Sequence, residues 1–331
     1  MNQIWDRFQG VHHSELHNEV LFLSREKLRE YLGGSSGFES AIGHLLAYPG
    51  KHLRTHVTVG WGLYCDSREL LEILVESALG IELIHEGSLV HDDVYDQSAE
   101  RRDQSAIYNR FGLRSANNLG LYLIARGVSL LCRIQDEHNI RLELPQISQL
   151  ASSQVMETLP PCDSIREQQD RMVRMTDGKT GVLFSLASAL GAALASAKCR
   201  GSDEMCRAKR FGEIIGRAYQ IRDDIAEFSV GSGQGGLCGS DMVAGNWNWP
   251  TMYWARQASN WHEAVVRIES CRGNPHKAAQ LAEEVMASGA LDMTEKALAR
   301  ELRLAAELVD QSPPSPGREL LSHFIDRLEL P

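Results

Sequence analysis

Two short acidic stretches carry the side chains best suited to chemistry. "HDDVYD" places Asp92, Asp93 and Asp96 in the pattern acid-acid-x-x-acid, and "RDDIAE" repeats it with Asp223, Asp224 and Glu227. On a helix the first and last members share one face, one turn apart, where like charges repel unless a cation lies between them. Carboxylate oxygens are hard ligands suited to Mg2+, which keeps several waters and bridges to phosphate oxygens. One such stretch alone usually marks a solvated helix face. Two of them, each interrupting an apolar helical pattern, point to metal ligands facing a cavity.

Basic residues stand at positions that would complete such a site. Arg101 and Arg102 follow Asp96, Lys51 and Arg54 stand three apart in "PGKHLRT", and Lys179-Thr180 lies in "MTDGKTGVLF". His85 precedes Asp92 by seven residues, two turns along the same helix face. Each basic residue taken singly reads as a solvated surface charge. Gathered round a metal cluster they form a site for two polyanions, arginine donating in pairs and lysine acting as a point charge.

The elements that must position these residues read as helices. "LFLSREKLREYL", "SRELLEILVESALGIELIHEGSLVHDDV", "FGEIIGRAYQIRDDIAEF" and "AAQLAEEVMASGALDMTEKALARELRLAAELV" repeat apolar residues at three- and four-residue steps. Strand signals are weak, with no Asn-Gly or Asp-Gly turn joining two alternating runs. Turn-rich punctuation falls at 32–38, 159–164, 229–240 and 311–317, none of it long enough for an interdomain linker. No repeat of solenoid length is present. The expectation is an all-α fold, one large helical bundle over residues 1–331 round a central cavity.

The totals bound the function. A chain of 331 residues with 43% hydrophobic side chains can bury a large core, and its net charge of −10 argues against nonspecific nucleic-acid binding. Seven cysteines without a CxxC pair fit a reducing compartment better than a disulfide framework. His85-Glu86 opens like a zinc HExxH motif, but Leu89 stands where the second histidine belongs. No phosphate-binding GxxxxGK[ST] loop is present. The N-terminal "MNQIWDRFQG" lacks the apolar core of a signal peptide. The charge-free run "TGVLFSLASALGAALASA" barely reaches spanning length and reads as a buried helix. A cytoplasmic protein without a transmembrane segment is expected.

Taken together, these motifs resemble the trans-isoprenyl diphosphate synthases, the polyprenyl synthetase family of the isoprenoid synthase fold. "GKHLR" is similar to the family's GGKRxR motif, "HDDVYDQSAERR" to its first aspartate-rich motif, and "YQIRDDIAEF" to its second. "SSQVMETL" resembles its GQxxD segment, "GKTGVLF" its KT segment, and "SPGRELLSHFIDRL" its C-terminal end. The resemblance implies that Asp92 and Asp96 bind two Mg2+ ions and Asp223 a third, with Mn2+ able to substitute. It implies Arg101 and Lys179 on the allylic diphosphate, with Gln154, Gln220 and Thr180 nearby. It places isopentenyl diphosphate on Lys51, Arg54, His85 and Arg102, and it implies a homodimer. The reaction implied is ionisation of an allylic diphosphate, condensation with isopentenyl diphosphate, and loss of a proton.

Several residues depart from the pattern. Glu227 and Glu157 stand where the family has aspartate, and His52 where arginine is common. Leu237 and Asn246, in "GGLCGSDMVAGNWNWP", occupy the positions of two expected lysines. Chain elongation is the first reading. A class I terpene cyclase, a prenyltransferase with another acceptor, and a noncatalytic subunit of a heteromeric synthase stay open beside it. Gly87 and Ser88, five and four residues before Asp92, are small, which by the resemblance leaves room for a product of C15–C20 or longer.

Overall fold

The computed structural model describes residues 13–33, 37–48, 50–64, 71–195, 202–229, 240–311 and 314–329. Its ordered elements are helices apart from one two-stranded ribbon, so the expected all-α class holds among the described residues. The chain divides into two compact units: 1–145 with 183–212 and 308–324, and 146–182 with 213–307 and 325–331.

The first unit contains α1 (His13–Leu32), α2 (Glu39–Ala47), α3 (Leu53–Tyr64) and α4 (Leu71–Tyr95). A ribbon of β1 (Glu100–Arg101) and β2 (Gln104–Ser105) follows, then α5 (Ile107–Phe111) and α6 (Leu113–His138). Nearly all of α9 (Val182–Leu194) belongs here as well. The central element is α4. Its Leu74, Ala78, Ile81, Leu83 and Ile84 point to different sides, yet all are buried. It packs against α1 and α3, and most extensively against α6.

Two glycine pairs let α4 and α6 approach closely. A Cβ on Gly127 would lie 2.4 Å from the Gly80 carbonyl, and one on Gly87 would lie 2.7 Å from the Gly120 carbonyl. Real Cβ contacts to backbone do not come so near, so these helices could not pack this way with alanine at those places. The charge-free run of near-spanning length begins α9, whose residues are buried in the unit's core. No described helix is long and apolar enough to cross a membrane.

The second unit holds α7 (Ser148–Glu157), α8 (Ile165–Thr176) and a π-helical turn over Asp177–Gly181. The C-terminal part of α10 (Ser202–Ser229) joins α11 (Ser240–Ala244), α12 (Trp249–Gln257), α13 (Trp261–Glu269) and α14 (Pro275–Ala287). Most of α15 (Ala290–Val309) completes it, while α16 (Pro316–Asp326) lies mainly in the first unit. Side-chain caps set the helix starts: Asn248, Asn260 and Asn274 accept backbone N–H bonds from Thr251, His262 and Lys277. These satisfy donors that the first helical turn leaves unpaired. Phe228, Met242, Ile268, Cys271, Leu281 and Val285 form the core beneath them.

Candidate active site

The first acidic motif closes α4. The Asp96 N–H donates to the Asp92 carbonyl at 2.8 Å, so the two residues stand one helical turn apart at the helix end. Asp92 is half-buried and Asp96 exposed, whereas Asp93 turns inward and is only 3% exposed. Arg101 donates from Nε (2.8 Å) and Nη2 (2.5 Å) to Asp93 Oδ1. Burial raises the Asp93 pKa, and the Arg101 bond opposes that shift. The middle acid of this motif therefore anchors an arginine.

That anchor shapes the ribbon. Glu100 pairs with Ser105 and Arg101 with Gln104, leaving Arg102 and Asp103 as a two-residue loop. Both have positive φ, 54° and 61°, the conformation of a type I′ turn that ordinarily selects asparagine and glycine. Arg102 offsets the strain through tertiary bonds: Nη2 to Glu86 Oε1 at 2.7 Å and Nη1 to the Tyr48 carbonyl at 3.1 Å. No local sequence signal announces this turn, because bonds to residues far along the chain hold it.

Further cations share this unit. Arg54 is 7% exposed and lies 4.7 Å over the Phe184 ring. Gly50 packs so closely on Arg102 that a Cβ there would sit 2.7 Å from Nη2. Lys51, beside it, is exposed. His85 belongs to the same electrostatic group. Burial pushes its pKa well below the usual histidine range, and Arg54, Arg102 and Arg101 lower it further. The imidazole is thus neutral at pH 7 and can offer either a donor or an acceptor to a phosphate. His52 opens α3 with φ 48° and bonds Ser24 Oγ at 2.6 Å. This ties the start of α3 to α1.

In the second unit the π-helical turn presents Lys179, whose Nζ bonds both Glu157 oxygens at 3.2 and 3.0 Å. A π-turn inside a helix widens it by one residue and occurs often at functional sites. Thr180 Oγ1 donates to Gln220 Oε1 at 3.1 Å, and Gln220 Nε2 donates to Asp224 Oδ1 at 2.8 Å. The Trp249 N–H closes the chain on Asp224 Oδ2 at 2.9 Å. Burial pushes the Asp224 carboxyl up to about 7 in spite of these bonds. Gln154, one helical turn before Glu157's neighbour Thr158, is half-buried.

The members of the second acidic motif also divide. Asp223 is exposed and Asp224 is inside the network just described. Glu227 accepts from the Asp241 N–H at 2.6 Å and from Asn248 Nδ2 at 3.1 Å. The extra methylene of glutamate reaches these two donors. Asn246 is half-buried, and Leu237 lies outside the described residues.

The donor set fits Mg2+ at Asp92 and Asp96 and at Asp223. Mg2+ ordinarily takes one or two protein carboxylates and completes its shell with water and phosphate. Among the described residues no group of three or more His, Cys, Asp or Glu side chains forms a ready-made metal cage. Neither Gly87 nor its face of α4 opens into a void: Gly87 lies against Gly120 and Ile124 of α6. That corrects the reading of Gly87 as open space below the first motif. Ser88, half-buried, bonds the His85 carbonyl at 2.8 Å.

Several partners were not legible as site residues. Glu86, which holds Arg102, and Asn248, which holds Glu227, carry no pattern of their own. A glutamate inside an apolar helix, as at Glu82 and Glu86, is the one signal that was available.

A sequence profile described as polyprenyl synthetase matches residues 36–287. Nonaprenyl diphosphate synthase of Mycobacterium tuberculosis is 27% identical over 288 residues, covering 86% of this chain and 83% of that one. Heptaprenyl diphosphate synthase component 2 of Geobacillus stearothermophilus is 29% identical over 292 residues, covering 86% of each. In structure, the chain is similar to a polyprenyl synthase of Caulobacter crescentus crystallised with calcium and isoprenyl diphosphate. The TM-score is 0.79 at 24% identity, over 96% of both chains.

Proposed function

The chain belongs to the polyprenyl synthetase family, and from that premise we propose that it is a trans-prenyltransferase condensing isopentenyl diphosphate with an allylic prenyl diphosphate. The observation that carries the reading is the end of α4. There Asp92 and Asp96 face outward, Asp93 fixes Arg101, and Glu86 fixes Arg102 beside Arg54 and a neutral His85. A hard-cation site at the end of α4 and an anion site built from α3, α4 and the ribbon thus stand together in the first unit.

Asp92 and Asp96 would hold two Mg2+ ions and Asp223 a third, with Mn2+ as a substitute. The chemistry Mg2+ supplies when bound is neutralisation of the diphosphate leaving group. Arg101 and Lys179, with Gln154, Thr180 and Gln220, are assigned to the allylic diphosphate. Lys51, Arg54, His85 and Arg102 are assigned to isopentenyl diphosphate. The Asp93 and Glu86 carboxylates position their arginines in advance, so little reorganisation is needed when charge develops. The allylic C–O bond breaks to leave a carbocation and diphosphate, the double bond of isopentenyl diphosphate attacks the cation, and the released diphosphate takes up the proton lost from the condensed chain. Apolar walls keep water from the cation.

Asp93, Asp224 and Glu227 are assigned to positioning, because their oxygens already bond Arg101, Gln220 with Trp249, and Asp241 with Asn248. A product of C15–C20 or longer rests on Ser88. We further propose one functional domain over 1–331, a cytoplasmic setting and a homodimer. The relative named component 2 favours a second reading of assembly, pairing with a different chain. Steady-state kinetics test the assignments: Lys51→Ala and Arg54→Ala should raise the KM for isopentenyl diphosphate while leaving the allylic KM nearly fixed. Equal effects on both substrates would refute the division.

A further inference from the structure

We infer that Arg272 is a diphosphate-binding residue, an assignment that rests on the function proposed above and adds a cation from outside the recognised motifs. The second unit contains a pocket lined in part by Glu157, Arg171, Asn246, Trp247, Glu269 and Arg272. Two guanidinium groups border it, and they are engaged very differently. Arg171 donates to the carbonyls of Leu159 (3.3 Å) and Pro160 (2.7 Å) and to Cys162 Sγ. It is committed to folding the 159–162 turn.

Arg272 is held only loosely. Its Nη2 lies 3.6 Å from Glu269 and 3.4 Å from the Gly245 carbonyl, and its side chain is 58% exposed. The seat beneath it is specific. Gly245 has φ 90°, and a Cβ there would lie 2.4 Å from the Arg272 guanidinium carbon. The backbone angle favours glycine at 245, and the guanidinium lies directly against it.

The segment that carries Gly245 leads to the acidic motif, and the pocket wall leads to the π-helical turn. Asn246, next to Gly245, donates its N–H to the Asp241 carbonyl. Asn248 bonds Glu227, and the Trp249 N–H bonds Asp224, which pins the 245–249 segment to α10 beside Asp223. Glu157, on the pocket wall, holds Lys179 at 3.0 Å. The Asn246 side chain brings no charge, so the cation beside Gly245 is Arg272. A planar guanidinium with weak present partners matches a pair of phosphate oxygens. The ligand class is a diphosphate, either the head group of the allylic substrate or the inorganic ion it leaves.

Titration calorimetry with inorganic diphosphate and excess Mg2+ tests this directly, and steady-state kinetics separate the two sources. Arg272→Ala should weaken diphosphate binding about tenfold, the scale of losing a charge-assisted contact. The allylic KM should rise by a similar factor if the substrate head group binds there, and only product inhibition should weaken if the released ion does. The isopentenyl diphosphate KM should not move in either case. Adding Asn246→Lys to Arg272→Ala should restore binding. Arg267→Ala removes an exposed arginine of α13 that pairs with Glu284 of α14, and it should leave binding unchanged. Should Arg272→Ala fold poorly, Arg272→Gln keeps a donor for the Gly245 carbonyl while removing the charge. Wild-type affinity in a folded Arg272 variant overturns the inference, as does equal weakening by Arg267→Ala. Diphosphate binding through Arg272 in a protein that transfers no prenyl group would refute the proposed function and leave this inference standing.

Discussion

Gly87→Ala probes whether the metal-bearing helix is held by close packing. The added Cβ would lie 2.7 Å from the Gly120 carbonyl, 2.8 Å from Ile124 Cγ1 and 3.1 Å from the Ile124 nitrogen. Two of these three neighbours are backbone, so rotamer changes cannot relieve the overlap, and α4 and α6 must separate. Overpacking against backbone that cannot yield falls in the upper part of the usual range, about 2–3 kcal/mol, while alanine recovers about 1 kcal/mol of helix propensity. The net loss should be about 1–2 kcal/mol. For a chain of 331 residues that lowers Tm by about 1–3 °C in differential scanning calorimetry. Gly43→Ala is the internal contrast, since a Cβ there meets nothing within 4 Å. It should raise Tm slightly. A Tm for Gly87→Ala that is unchanged or higher would refute the packing account. Because Asp92 stands five residues further along α4, the same variant should also lose activity before it unfolds.

Other perturbations follow from the same geometry. Asp92→Ala or Asp223→Ala should each lower turnover at least about a hundredfold, the scale of lost leaving-group stabilisation, and undiminished turnover in a radiolabel transfer assay would contradict their role. Ser88→Phe should shorten the dominant product by one or more C5 units, read by chromatography of the dephosphorylated prenols; an unchanged distribution with activity retained would remove Ser88 from the chain path. Asp224 has a folded pKa of about 7, above its unfolded value, so its contribution to stability is full at acid pH and is lost as pH rises to about 7. Urea denaturation in EDTA from about pH 5 to about pH 8 should show this slope, and Asp224→Asn should flatten it; the same slope in both proteins would refute the assignment.

The sequence made the helices legible where one face is buried and the other wet. The stretch 278–309 repeats in that way and forms most of α14 and all of α15. The pattern blurs in α4, which is buried on all sides near its middle. Both acidic motifs could be placed on helices because their spacing is local. What could not be read depends on distant partners. The ribbon at 100–105 lacks Asn-Gly or Asp-Gly, and Glu86 and Asp93 hold it from α4. Glu227 looks like a weakened ligand until Asn248 and the Asp241 N–H appear beside it. Gly87 looked like open space because a missing side chain and a close helix contact are the same letter. The division of labour between outward Asp92 and inward Asp93 is also invisible in a run of two identical residues.

The central claim is metal-dependent condensation, and one product analysis tests it most directly. The purified protein is incubated with C10, C15 or C20 allylic diphosphates, with and without isopentenyl diphosphate, in Mg2+ or in EDTA, and products are identified by mass spectrometry. The account predicts prenyl diphosphates lengthened in C5 steps only when isopentenyl diphosphate and Mg2+ are both present. Cyclic or rearranged hydrocarbon formed without isopentenyl diphosphate, or lengthened product in EDTA, would contradict it.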